Sequence, residues 1–183
     1  MDSKQVVLIT GSSTGFGRLF AYTLARKGHT VFAPMRDLGG RNAKNAKEIR
    51  TLAEKDSLPI YVLELDVTDD ASVERAVDAA IGRAGRIDVA INNAGYAVSG
   101  LAEAVTIEQA QRLMDTNFFA RFALIALCFR TCGGNAAACL CTSAAVPAAW
   151  FFLLGVSIAP ANLHSRRWPR PIATNLPRKE LNP

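Results

Sequence analysis

The chain of 183 residues predicts an α/β fold built on a doubly wound parallel sheet. Three observations carry this. Short apolar runs rich in β-branched residues alternate with segments of helical spacing as far as residue 127. A glycine-rich turn joins the first run to the first helix. The runs are nearly unbroken by polar residues, as in strands buried on both faces. Strand, helix and strand in succession make βαβ units, and right-handed crossovers place helices on both faces.

The elements follow in order. Residues 5–10 (QVVLIT) read as the first strand. Residues 16–27 set Leu19, Phe20, Thr23 and Leu24 at helical spacing and end at Gly28, a natural C-cap. Residues 30–33 read as a second strand, and 41–56 as a polar helix with apolar points at Ile49, Leu52 and Ala53. Residues 60–65 are a third strand. Residues 71–84 are an amphipathic helix with Val73, Ala76, Val77 and Ala80 on one side. Residues 87–92 (IDVAIN) are a fourth strand, and 106–127 a long helix. The apolar run 138–142 is placed for one more strand. No repeat of solenoid length is present.

Composition divides the chain near Leu127. Half the residues are apolar and a fifth charged, which is globular rather than disordered. Up to Leu127, fifteen Lys and Arg balance fifteen Asp and Glu; beyond it stand six basic residues and one acid, which supply the net charge of +5. The first region is neutral overall and the excess positive charge lies in the tail, so no nucleic-acid partner is expected. Six of eight prolines, all four cysteines and both tryptophans also lie beyond Leu127. Two regions are therefore expected: residues 1–127 as one folded domain, and 128–183 as an atypical tail. Met1-Asp2-Ser3-Lys4 offers no basic, apolar leader, and a cytoplasmic location is expected. Cys128, Cys132, Cys139 and Cys141 do not follow zinc-site spacing, and no metal is expected. Residues 144–158 are strongly apolar and Arg166-Arg167 follows, but a span needs about 20 apolar residues and Pro147 interrupts this run. An exposed run of this kind is an aggregation liability rather than an anchor.

The chemistry begins at Thr10-Gly11-Ser12-Ser13-Thr14-Gly15-Phe16-Gly17, between strand and helix. Gly11 permits a tight turn, Gly15 a close approach of backbone to a pyrophosphate, and Gly17 close packing of helix on strand. The free N–H groups at the helix start then face the anion.

Three residues separate Gly11 from Gly15, and this T-G-x-x-x-G-x-G form resembles the short-chain dehydrogenase/reductase family. Three more segments agree with it. Leu65-Asp66-Val67-Thr68-Asp69 is similar to the family's motif after the third strand, whose Asp contacts adenine. Asn92-Asn93-Ala94-Gly95 is similar to the motif that closes the fourth strand beside the cofactor. Asn117 matches the Asn of the family's catalytic tetrad, which holds a water in the proton relay. Singly, Asp66 reads equally as a turn former, the NNAG segment as a turn, and Asn117 as a helix-surface residue. The resemblance implies a Rossmann-like sheet, a nicotinamide dinucleotide cofactor, and hydride transfer on a small alcohol or carbonyl substrate. It assigns Thr10, Gly11, Ser13, Gly15, Phe16, Gly17, Asp66, Val67, Asn93, Ala94 and Gly95 to cofactor binding. At the end of the second strand, Met35 stands where NAD-preferring relatives carry an acid and Arg36 follows, which favours NADP(H) over NAD(H). The alternative is that Arg36 pairs with Asp37 or faces solvent. Met35-Arg36-Asp37 with Gly40-Arg41-Asn42 weakly resembles the steroid- and retinol-acting branch.

The family also needs a Ser, a Tyr and a Lys beyond Asn117: Tyr as general acid/base, Lys to lower its pKa, Ser to polarise the carbonyl. This chain has no Tyr after Asn117, and its only later Lys is Lys179. Ser143, in Cys141-Thr142-Ser143, lies near the place of the family's Ser but without those partners. The sheet is thus expected to be incomplete on its C-terminal side. The family's dimer interface is expected to be lost, and the outer edge of the fourth strand left poorly covered.

The tail carries a second signal. Let the frame slip between Phe118 and Leu127, and read from the third base of the Ser157 codon. Synonymous codons for residues 157–170 then spell Tyr-Ser-Ala-Ser-Lys-Phe-Ala-Leu-Glu-Ala-Leu-Ala-Glu, which resembles the family's active-site helix with Tyr and Lys in register. The visible residues supply the second and third bases of each hidden codon, and Trp168-Pro169 forces the hidden alanine. A hidden Ser-Ser pair over residues 143–145 falls thirteen codons before the hidden Tyr. A frameshifted gene or a base-reading error is expected. Three readings follow: an NADP(H)-dependent oxidoreductase of alcohol/carbonyl pairs, a nucleotide-binding remnant without turnover, and a protein tethered to membrane through residues 144–158.

Overall fold

The computed structural model describes residues 4–96 and 106–124, and the backbone of 140–141 and 157–158. Four parallel strands form one sheet in the order β3-β2-β1-β4: β1 Val6–Ile9, β2 Thr30–Phe32, β3 Ile60–Tyr61 and β4 Val89–Ile91. Val7 stands opposite Val31 on one side and Val89 on the other, so β1 is an interior strand paired on both edges. Val31 pairs with Ile60, and the β2–β3 ladder resumes at an isolated bridge between Met35 and Glu64.

The residues of β1 are all buried, and they alternate between two cores. Val7 and Ile9 join Val31, Ala33 and Met35 beneath α1 (Gly15–Arg26) and α2 (Ala43–Lys55). Val6 and Leu8 join Phe32 and Ala90 on the other face beneath α3 (Asp70–Ala84), with Leu124. Helices on both faces of a parallel sheet make this a doubly wound, Rossmann-like α/β fold.

The helices dock through small or apolar stripes. α1 buries Gly17, Ala21 and Ala25; α2 buries Ala46, Ile49 and Ala53; α3 buries Val73, Ala76, Val77 and Ala80. Each set recurs at the three- or four-residue spacing of one helix face. Asp69 caps α3 by accepting from the Ala71 N–H at 3.0 Å, and Gly85, with φ of 74°, ends it in the left-handed conformation.

Two expectations need correction. The third strand closes at Tyr61 and meets β2 again only at the Glu64 bridge, so 60–65 is not one continuous strand. The long helix over 106–127 is interrupted. α4 covers Ile107–Met114, a π-helical turn covers Asp115–Phe119, and α-helix resumes over 120–124. A π-turn widens the helix by one residue and re-aims the side chains after it. Leu140–Cys141 (β5), within the apolar run expected as a further strand, pairs antiparallel with Ser157–Ile158 (β6) in a separate two-stranded sheet. β5 lies beside β4, yet among the described residues no strand hydrogen-bonds to the outer edge of β4.

Candidate functional site

All four strands of the main sheet are parallel, so their carboxyl ends share one side. Read across the sheet, these ends present Asp66, Arg36, Gly11 and Asn93 in that order. The chain direction across the sheet reverses between β1 and β4, the switch point at which open α/β sheets form a ligand crevice.

That crevice is built by the first turn and the NNAG segment locking together. Thr10 is 1% exposed. Its Oγ1 accepts the N–H of Asn93 and of Ala94, each at 3.0 Å. Asn93 answers with its Nδ2, which donates to the carbonyls of Thr10 at 2.9 Å and Gly11 at 3.0 Å. Ser12, fully buried, donates from Oγ to the Ile9 carbonyl and from N to the Pro34 carbonyl at 3.2 Å. The turn after β1 is therefore fastened to the ends of β4 and β2 at once.

The glycines divide the work. Gly11 has φ of 66°, and a Cβ there would stand 2.8 Å from the Ala94 Cα. A Cβ on Gly17 would collide with Asn93 Nδ2 and the Gly11 carbonyl. Gly17 thus seats α1 on the NNAG segment as well as on the strand. Gly15 has φ of 58° but nothing within 4 Å of where a Cβ would be. It faces open space at the start of α1. The Thr14 side chain makes no cap bond there, and the first turn carries no acid. The free N–H groups and the positive helix end are left for an external anion, which fits a dinucleotide pyrophosphate.

Around this centre the other sequence-predicted residues fall as follows. Ser13 is half-buried in the turn, and Phe16 is 62% exposed at the start of α1. Asp66 Oδ1 accepts from the Thr68 N–H at 2.9 Å and from Thr68 Oγ1 at 2.7 Å, and the Asp66 N–H donates to Ser72 Oγ at 3.0 Å. Its turn-forming role is thus visible, with Val67 half-buried beside it. Met35 is buried and Arg36 exposed. Among the described residues Arg36 makes no ion pair, and Asp37 bonds to the Arg41 N–H instead, at 2.7 Å. Gly95 is exposed and leads into Tyr96, whose N–H donates to Asn117 Oδ1 at 3.0 Å while its carbonyl accepts from Asn117 Nδ2 at 2.7 Å. Asn117, on the π-turn, is not a bare surface residue: its amide clamps the backbone just after the NNAG segment. Ser143 lies outside the described residues, as do the Cys128, Cys132 and Cys139 positions and the run 144–156.

Sequence reasoning did not single out Ser12, Ser72 or Tyr96. Ser12 carries a local signal, a small hydroxyl inside a tight turn. Ser72 and Tyr96 are recruited by partners whose proximity only the fold creates.

The short chain dehydrogenase family model matches residues 5–145. The chain belongs to the short-chain dehydrogenase family. Among its curated relatives, a 3-ketodihydrosphingosine reductase of Bacteroides thetaiotaomicron is 38% identical over 115 residues, 63% of this chain and 37% of that protein. Retinol dehydrogenase 8 of Bos taurus is 35% identical over 127 residues, 68% of this chain and 39% of that protein. A blue fluorescent protein from a metagenomic library, solved in complex with NADPH, superposes with a TM-score of 0.63 at 28% identity, covering 69% of this chain and 51% of that one. The chain thus spans well under two thirds of the length of these short-chain dehydrogenases. Among the described residues, no helix is long and apolar enough to cross a membrane.

Proposed function

We propose that this polypeptide binds NADP(H) in the crevice between the ends of β1 and β4, and that it holds the cofactor without turning over a carbonyl substrate. The observation that carries the binding half is the interlock of Thr10 and Asn93. It presents the open face of Gly15 and the uncapped start of α1 at the sheet's switch point. The preference for the phosphorylated cofactor is supported by Arg36, exposed and outside any ion pair among the described residues, beside buried Met35 where an acid would hold the ribose hydroxyls. The NADPH in the metagenomic neighbour agrees with this choice.

The second half follows from the residue inventory. Past Asn117 no Tyr remains to protonate an alkoxide, and Lys179 has no Tyr four residues before it. When bound, the nicotinamide supplies a hydride; the Tyr that supplies the matching proton in the family does not occur after Asn117 in this chain. Titration with NADPH and NADH, beside NADPH oxidation with a panel of aliphatic and retinoid carbonyls, tests both halves. Tighter binding of NADPH with no carbonyl-dependent oxidation is expected. Turnover at rates typical of an intact reductase would overturn the second half.

A second reading is favoured by residues 157–170, for which synonymous codons exist whose one-base shift would spell a Tyr and a Lys in the register that resembles the family's. In that frame the gene encodes an NADP(H)-dependent oxidoreductase of alcohol/carbonyl pairs, and residues 128–183 are a foreign tail on a domain ending near residue 127. The retinol dehydrogenase and ketodihydrosphingosine reductase relatives make a lipid-like alcohol or ketone the substrate class to try first. Reading the coding DNA and expressing the shifted frame tests this: carbonyl-dependent NADPH oxidation should appear. No open shifted frame would end the idea.

A further inference from the structure

The most apolar stripe of α1 is not the one that packs on the sheet. Phe16, Leu19, Phe20 and Thr23 stand at i, i+3, i+4 and i+7, the spacing of one helix face. The sheet takes the small side instead, Gly17, Ala21 and Ala25. Phe16 is 62% and Leu19 58% exposed, and Thr23 is exposed too. Phe20 is half-buried, its ring stacked on that of Phe16 with centroids 6.3 Å apart. The opposite flank of α1 carries Arg18, which reaches α2 through its ion pair with Glu48 at 2.9 Å. Because α2 lies over β3, the Phe20 flank looks toward β4.

The sheet is open on that side as well. β4 buries Ala90 to 1% on the α3 face, whereas Val89 and Ile91, which share the α1 face with Phe20, stay half-buried. The stripe of α1 and the near face of β4 thus flank one stretch of apolar surface, and among the described residues it stays open. Apolar surface of this kind gains from a cover. The chain holds one close at hand. β5 lies beside β4 and pairs with β6, so residues 142–156 begin and end next to β4. Residues 132–163 carry no charged side chain, and Trp150, Phe151, Phe152, Leu153 and Leu154 stand in a row. A loop of this length tied at both ends reaches about 25 Å at its midpoint. The flank of α1 is two strand spacings and one layer away, about 15 Å. Tethering raises the local concentration of the segment to the order of millimolar, far above that of a second copy in dilute solution.

We propose that residues 142–156 dock on the Leu19–Phe20–Thr23 stripe of α1 and on Val89 and Ile91 of β4, as an intramolecular cover for both apolar surfaces. The chain has two tryptophans, Trp150 inside the segment and Trp168 beyond it, so Trp168→Phe leaves Trp150 as the single reporter. In the full chain with that change, Trp150 should emit at short wavelength and resist acrylamide quenching equally at every protein dilution. Adding Leu19→Arg should shift the docking equilibrium toward the open form by about tenfold or more, because an unpaired charge then replaces a leucine beneath the cover. Trp150 emission should move to the red and quenching should rise, while the far-ultraviolet circular dichroism stays native. Thr23→Arg, one turn further on, should act in the same direction, and Leu19→Met should leave Trp150 shielded. A Trp150 open to acrylamide before any change to α1 would overturn the proposal. So would shielding that both arginine variants leave intact, or that Phe122→Arg removes in their place, which would set the segment on α4. Shielding lost on dilution would assign the surface to a second copy, and shielding that appears only with phosphatidylcholine vesicles would assign the segment to a membrane; either result overturns the intramolecular cover.

Discussion

Between β1 and β4 every helix turns a buried stripe to the sheet, from Gly17, Ala21 and Ala25 in α1 to Val73, Ala76, Val77 and Ala80 in α3; α4 buries none of its eight residues. The contrast continues just beyond. Phe118 packs edge to face on both Phe119 and Phe122, yet Phe119 is 44% and Phe122 51% exposed, and Ile107 at the start of α4 is 71% exposed. The first region closes one core with its own residues and the other with the addition of Leu124. The second carries an apolar face that the described residues do not cover, and it reaches the core on the sheet face through Leu124. The nucleotide crevice belongs to the first region, so binding should survive insults to the second.

The widest test of this contrast uses two aromatics. Phe32 is fully buried between the strands and α3 and packs against Tyr61 with ring centroids 5.6 Å apart. Phe32→Ala should cost about 3–5 kcal/mol in urea unfolding and abolish NADPH binding at moderate denaturant. Phe122→Ala should cost no more than about 0.5 kcal/mol. Comparable losses at both positions would mean that α4 is packed as firmly as the sheet, and the contrast would fail.

The glycines sharpen the comparison inside the first region. A methyl at Gly17 meets the Asn93 side chain and the Gly11 carbonyl, groups that cannot move without undoing the crevice. Gly17→Ala should therefore cost about 1–3 kcal/mol and lower NADPH affinity together. Gly15→Ala meets no atom, and its cost is the left-handed backbone alone, roughly 1–2 kcal/mol. There the cofactor should be lost more completely than stability, because the methyl occupies the space the anion needs. A Gly15→Ala chain that binds NADPH normally would remove Gly15 from the site.

How far the sequence leads depends on the range of the interaction. The turn at Gly11–Gly17 is legible because strand, glycines and helix are contiguous and each glycine answers a local demand. The alternation of Val6 and Leu8 against Val7 and Ile9 is legible only as burial on two sides; which helices cover each face comes from the crossovers. The pairing of Thr10 with Asn93 spans 83 residues and has no local trace. The π-turn at Asp115–Phe119 is invisible for another reason. No Gly or Pro lies in 106–127, so nothing in the pattern breaks the helix; the turn coincides instead with the Asn117 clamp on Tyr96. Asp66 shows the opposite case: its Asx bonds to Thr68 are local and follow from the residue type, while an adenine contact would depend on the ligand.

The Asn117 clamp joins the two regions, and cutting it should be felt on both sides. Asn117→Ala removes one donor and one acceptor from the Tyr96 backbone, a loss of roughly 1–2 kcal/mol by the usual net value of such bonds. Hydrogen exchange at the Tyr96 amide should quicken while the β1 amides stay protected. Uniform acceleration would show that the clamp supports the whole sheet rather than the segment after β4.

The smallest effect lies at the start of α4, where the second region has its best local support. Thr106 and Gln109 form a reciprocal capping box, the Thr106 Oγ1 accepting from the Gln109 N–H at 3.2 Å and Gln109 Oε1 from the Thr106 N–H at 3.0 Å. Glu108 adds to it. Its carboxylate is held below the usual carboxylate range by its own backbone N–H first and by the Thr106 hydroxyl second. A carboxyl with a lowered pKa in the folded chain contributes stability above its ordinary pKa, and that contribution is lost as pH falls through the lowered value. Protection of the α4 amides against exchange should therefore decline on acidification below the ordinary Glu range, and in Glu108→Gln it should be lower at neutral pH and flat across that window. Because α4 buries none of its own residues, this cap is a larger share of its stability than the Asp69 cap is of α3. Asp69→Ala should leave α3 amides protected by the core beneath them, whereas Thr106→Ala, at about 1 kcal/mol, should fray α4 visibly.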